Sequence, residues 1–91
     1  WRTPINTEAK YLMLRHAFEQ WHCVRVEFKV LVSNQRSLTS IQRVGAQVEG
    51  TLRKRLPYRD GDFRDVVYLS IIDEEWPGVK TRLEQRLAAA Q

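Results

Sequence analysis

The alternation of apolar and polar positions is clearest between residues 23 and 33. Val24, Val26, Phe28, Val30 and Val32 alternate with Arg25, Glu27, Lys29 and Leu31. A period of two puts successive side chains on opposite faces, so this stretch is expected to be a strand with one buried and one wet face. Ser33 to Arg36 break the pattern as a polar loop. Upstream, residues 8 to 20 run at helical spacing. Tyr11, Leu14, Phe18 and Trp21 fall on one stripe, and Ala9, Met13 and Ala17 on a second. Arg15 and Glu19 occupy the remaining strip. So wide an apolar surface calls for burial on more than one side. Thr3 before Pro4, or Asn6 and Thr7, are the candidate caps of this helix.

Residues 38 to 56 carry the longest helical pattern. Leu38, Ile41, Val44, Val48, Leu52 and Leu56 hold a period near 3.6. Thr39 and Gln42 fit a capping box, with Ser37 as an alternative cap. Arg53, Lys54 and Arg55 would then lie in the last turn, where cations meet the negative end of the helix dipole. Pro57 would end the helix. Gly45 and Gly50 each oppose it by about 1 kcal/mol against alanine. Tyr58 to Asp62 form a turn hinged on Asp60 and Gly61. Residues 63 to 73 read as a second strand, apolar on both faces and so covered on both. Asp73 to Glu75 lead into a third helix with Pro77 in its first turn and a stripe of Val79, Leu83, Leu87 and Ala90.

These elements make a small α+β domain in the order α-β-α-β-α, spanning residues 1–91, of the ferredoxin-like or metallochaperone-like open-sandwich kind. The two strands flank a helix, which is a right-handed βαβ unit if they run parallel. A two-stranded sheet rarely stands alone. Either a further strand lies in the turn region, or a second copy of the chain completes or covers the sheet. The apolar excess on the first helix (Tyr11, Leu14, Phe18) and on the last strand (Val67, Leu69, Ile71) favours the second copy. Those six residues are the candidate homodimer interface.

Composition narrows the classes. The chain has 91 residues, 43% of them apolar, which suits one globular domain and not a disordered tail. Its single cysteine excludes an internal disulfide framework, so a reducing, cytoplasmic setting is expected. No apolar run approaches the roughly 20 residues of a membrane span, and no secretory signal is visible at the start. The first residue is Trp1, the expected beginning of an excised or processed chain.

Candidate chemistry is sparse. His16, His22 and Cys23 match no zinc spacing, so no metal site is expected. Cys23 follows His22 directly, and neighbours on a strand point to opposite faces, which disfavours a thiol–imidazole pair. Asp60, Asp62, Asp65, Asp73, Glu74 and Glu75 are best explained as turn and cap residues. No phosphate loop or dinucleotide fingerprint occurs. The expectation is therefore a protein that is not an enzyme, with no catalytic residues and no cofactor. The net charge is +4, from 15 Lys and Arg against 11 Asp and Glu. Arg53, Lys54, Arg55 and Arg59 with Tyr58 form the candidate anion or nucleic-acid set. The preferred role for that cluster is a solvated helix end, with nucleic acid the less favoured partner.

The stretch from Val24 to Asp73 resembles the cytoplasmic C-terminal domain of cation diffusion facilitator transporters. The matching residues are Val24 to Val32, Ser37-Leu38, Gln47-Val48-Glu49, Arg53-Lys54-Arg55-Leu56-Pro57 and Asp65-Val66-Val67-Tyr68-Leu69, preceded by a helix from Glu8 to Phe18. The resemblance implies a homodimeric regulatory domain of a cation efflux transporter, tethered to a membrane portion on its cytoplasmic side. The family's metal-ligand positions fall near Phe28, Gln42 or Arg43, and Tyr68 or Leu69, none of which is a ligand, so no metal role carries over. The family also places two strands between its first two helices, where this chain has one. The expected function is a non-enzymatic, self-associating domain. The alternatives are a small basic RNA- or DNA-binding domain and a protein-partner-binding domain of a larger assembly.

Overall fold

The computed structural model describes residues 4–89, with the side chains of residues 7–59 and 61–89. The element order is α1 (Pro4–Arg15), β1 (Arg25–Leu31), α2 (Gln35–Val44), β2 (Gln47–Pro57), β3 (Phe63–Ile72) and α3 (Trp76–Ala89). The chain is thus α+β, with three helices and a three-stranded antiparallel sheet in the order β1-β3-β2. The expected α+β class holds, but the sheet has a third strand of its own, and it lies within the expected helix, not in the turn region. The two expected strands, β1 and β3, are neighbours in this sheet but run antiparallel, so the condition for a βαβ unit is not met.

Contacts gather into two units, Trp1–Val26 with Ile71–Gln91, and Glu27–Ser70. In the first, α1 packs on α3. Leu14, Ala17, Phe18, Ile71, Trp76, Val79 and Leu83 are buried in this unit. The Phe18 and Trp76 rings stack at 5.4 Å. Trp76 Nε1–H donates to Glu19 Oε2 at 2.8 Å, Lys80 pairs with the same oxygen at 2.9 Å, and Tyr11 donates its hydroxyl to Glu84 at 2.7 Å. Residues His16–Gln20 form a π-helical segment that extends α1. His22, at φ 55°, then turns the chain in the left-handed region that helix ends favour. Asp73 N–H donates to Val24 O at 3.0 Å, which ties the start of β1 to the end of β3. The stripe of α3 is buried at Val79 and Leu83 and half-buried at Leu87. Ala90 and the candidate cap Thr3 lie outside the described residues. Asn6 and Thr7 fall inside α1, so neither caps it.

In the second unit, α2 is shorter than the sequence pattern suggests. Asn34 is its cap, accepting from Ser37 N–H at 3.2 Å, so neither Thr39 nor Ser37 starts the helix. Gly45, at φ 122°, ends it, and its N–H returns to the carbonyls of Gln42 and Ile41. Only glycine adopts that backbone without steric cost, so the helix stops there and not at Pro57. Beyond Ala46 the chain becomes β2, an edge strand exposed along its whole length. It pairs antiparallel with β3, from Gln47 opposite Ser70 to Pro57 opposite Phe63. Pro57 suits the end of an edge strand, where its missing N–H is not needed for a ladder. Val66, Val67, Leu69 and Ser70 of β3 are buried, as expected for a strand covered on both faces. Val32 N–H donates to Asp65 O at 3.1 Å beside them.

Candidate functional site

The sheet unit presents a face built on the alternate positions of β3. Val66, Tyr68 and Ser70 project to one side, and Val67 and Leu69 to the other. On the first side lies an open groove of about 160 Å³, lined by Lys29 and Leu31 of β1, Arg55 and Leu56 of β2, and Val66 and Tyr68 of β3. Its floor is apolar and its rim is cationic. The Lys29 ammonium stands 5.7 Å from the centre of the Tyr68 ring, within the range of a cation–π contact. Arg55 is exposed and pairs with no carboxylate among the described residues.

Two residues along β3 from Tyr68, Ser70 is a buried polar side chain, 2% exposed. Its hydroxyl donates a hydrogen bond to Glu49 Oε2. The pairing of β2 with β3 slips between Val48 and Gly50, and Glu49 is the extra residue. A bulge of this kind re-aims one side chain out of the regular alternation. Here it holds an exposed carboxylate against a buried hydroxyl. A carboxylate fixed in this way accepts hydrogen bonds and can take up a proton, the property a general base requires.

The basic set lies elsewhere than expected. Arg53, Lys54 and Arg55 sit on β2 at a second irregularity, between Leu52 and Leu56, not at a helix end. Their proposed role against a helix dipole is therefore withdrawn. Arg59 lies in the short helical turn Arg59–Gly61 that joins β2 to β3. Tyr58 is flanked by the guanidinium groups of Arg59 at 5.8 Å and Arg64 at 4.4 Å, and Arg64 also pairs with Asp62 at 3.2 Å.

The six candidate interface residues are occupied within the chain. Leu14, Phe18 and Ile71 are buried in the helical unit, where Tyr11 bonds to Glu84, and Val67 and Leu69 are buried in the sheet unit. The apolar excess that suggested a second copy is thus covered by the chain itself. Other apolar side chains remain open, among them Leu12, Met13 and Trp21, which line a shallow hollow of about 430 Å³ beside His16. The His16 ring meets Trp21 edge-on at 4.5 Å. Among the described residues, no three His, Cys, Asp or Glu side chains gather as a metal site, and no helix is long and apolar enough to cross a membrane.

Sequence reasoning missed Lys29, Glu49, Tyr68 and Ser70 as a set, because Glu49 was placed on a helix. The usable signal was Ser70, a small polar residue inside the apolar run Val66 to Ile72.

No family model matches the chain. It is 36% identical over 76 residues to YdaF of Bacillus subtilis (strain 168), which carries the provisional name ribosomal N-acetyltransferase; the match covers 84% of this chain and 41% of that protein. A provisionally named acetyltransferase from T. thermophilus superposes with a TM-score of 0.90 at 55% identity, over 96% of this chain and 46% of the other. A GCN5-related N-acetyltransferase from Brucella melitensis superposes at 0.90 with 29% identity, over 100% of this chain and 43% of the other. The fold is therefore that of a fragment of the GCN5-related N-acetyltransferase type, and the chain spans under half the length of these relatives. These likenesses overturn the cation-transporter resemblance, and with it the non-enzymatic, regulatory and cation-transport readings, and they lend no support to either stated alternative. The physical reason is local. That resemblance needed residues 38–56 as one helix ending in a basic turn, and half of that stretch is an edge strand.

Proposed function

We propose that this chain forms part of an N-acetyltransferase, which moves an acetyl group from an activated carrier to an amine. The observation that carries the reading is the 55% identity to the T. thermophilus structure across 96% of the chain. The chemistry asks for a base. An alkylamine is protonated at neutral pH and has no free lone pair until that proton leaves. The freed nitrogen then attacks the acetyl carbonyl carbon. A carbon–nitrogen bond forms, the bond from that carbon to the carrier's leaving atom breaks, and the leaving atom ends protonated. In this chain Glu49 is the side chain suited to take the amine's proton, directly or through a water, with Ser70 holding it in place. The groove beside it would seat the rest of the acceptor. The name of the Bacillus subtilis relative makes amines of ribosomal proteins the first acceptors to try.

The test is transfer of a labelled acetyl group from an acetyl thioester to purified ribosomal proteins. It should be run with the 91-residue chain and with any longer polypeptide that carries it. Labelled amide is expected above the uncatalysed rate. No label on any amine in either case rejects the reading.

A further inference from the structure

The groove and Glu49 share one face of the sheet and carry opposite charge, and we infer that this face reads an acidic peptide segment lying just beyond the amine to be acetylated. Lys29 and Arg55 stand on the groove rim above a floor of Leu31, Leu56, Val66 and Tyr68. Neither cation pairs with a carboxylate among the described residues, and Lys29 stands over the Tyr68 ring. An apolar floor of low polarity strengthens the attraction of such cations for a carboxylate that reaches them. The volume of about 160 Å³ accommodates one branched aliphatic side chain, not a folded element. Glu49 lies further along the same face, held by Ser70. A peptide whose positive amine meets Glu49 and whose negative side chains meet Lys29 and Arg55 matches that gradient end to end. A peptide of the reverse charge order meets like charges at both ends, which gives discrimination as well as affinity.

The direction of the peptide rests on the acetyltransferase reading, while the contact itself does not. Binding can therefore be measured apart from turnover. The probe is a five-residue peptide with a free amino terminus, one leucine and two following glutamates, titrated calorimetrically into the 91-residue chain. The control is the same peptide with glutamines. The acidic peptide is expected to bind at least tenfold more tightly, and the difference should shrink as salt rises. The exposed positions 29 and 55 tolerate charge reversal, so Lys29→Glu with Arg55→Glu should abolish the preference; Lys29→Gln with Arg55→Gln, which retains the side-chain stems, should do the same. Equal binding of the two peptides, a preference that survives both double variants, or no binding of either peptide overturns the inference. Acetyl transfer to a small amine that carries no acidic group is assayed in parallel. Transfer without peptide preference defeats this inference alone, whereas preference without transfer to any amine defeats the catalytic reading and leaves the acidic-peptide site standing.

Discussion

Asp65 accepts the backbone N–H of Lys54 through Oδ1 at 2.8 Å, across from the point where β2 leaves its regular pairing. Between Leu52 opposite Val66 and Leu56 opposite Arg64, three residues of β2 face one residue of β3. That residue is Asp65, and its side chain supplies the partner that the ladder no longer gives to the Lys54 amide. Lys54 takes φ 48°, in the left-handed region.

The first prediction follows from this pair. A left-handed conformation costs an L-residue about 1–2 kcal/mol, and glycine adds back roughly 0.5–1 kcal/mol through the freer unfolded chain. Lys54→Gly should therefore leave stability unchanged or raise it by about 1.5 kcal/mol at most. Asp65→Ala removes a charge-assisted hydrogen bond at a partly exposed site and should lower stability by about 1 kcal/mol. Urea unfolding followed by circular dichroism measures both. A Lys54→Gly loss as large as that of Asp65→Ala would show that the bulge does not strain Lys54.

The same bulged strand shows where the sequence was legible and where it was not. The strands β1 and β3 were readable because their apolar residues face cores, and the alternation at Val26, Phe28 and Val30 records that directly. The strand β2 was not. Val48, Leu52 and Leu56 are spaced by four, which reads as a helix stripe, but on β2 the extra residue Glu49 places Val48, opposite Leu69, on the other face from Leu52 and Leu56, opposite Val66 and Arg64. All three are only half covered, at 49%, 48% and 42% exposure, so burial imposed no clear alternation on their neighbours. Gly45 was the deciding residue, since its left-handed φ ends α2 whatever periodicity continues beyond it. The site shared this blind spot: Glu49 reaches Ser70 only because a bulge turns it, and no spacing rule marks a bulge in advance.

The second prediction tests that assignment. On an exposed edge strand, Leu52→Thr replaces one strand-compatible side chain with another and should cost under about 1 kcal/mol. Leu69→Ala, at a position with 0% exposure, should cost about 2–5 kcal/mol. The two variants are compared by chemical denaturation. Equal losses would place Leu52 in a core.

A third prediction concerns acid. The bond from Lys80 first, and that from Trp76 second, hold the Glu19 carboxyl below its ordinary value of 4.5. A group lowered in the folded state favours folding where it is ionised. Its contribution is complete above about pH 4.5 and is lost as pH falls through the lowered folded value. Glu19→Gln keeps an acceptor for Trp76 but removes the titration. The unfolding midpoint of the unmodified chain should therefore fall more between pH 5 and pH 3 than that of the variant. Parallel curves for the two would mean that Glu19 gains nothing from its partners.

The last prediction concerns Glu49 and the proposed acetyl transfer. Glutamine at this position keeps the shape and can still accept the Ser70 hydroxyl, but it cannot take a proton at neutral pH. Glu49→Gln should leave the fold intact, because Glu49 is exposed and its one hydrogen bond survives. If Glu49 is the base, transfer should fall by about 10²–10⁴ in kcat, with a smaller change in KM, since a base acts in the transition state and not in holding the acceptor. The deficit should narrow as pH rises toward the pKa of the acceptor amine, because solvent then removes the proton that Glu49 no longer can. Ser70→Ala leaves the carboxylate present but unheld, so its loss should be smaller than that of Glu49→Gln and should keep the pH profile of the unmodified protein. The measurement is initial rate against pH for the three proteins with one amine acceptor. A Glu49→Gln profile that runs parallel to the unmodified one at every pH removes the base from this carboxylate, and an unchanged rate removes Glu49 from the reaction altogether.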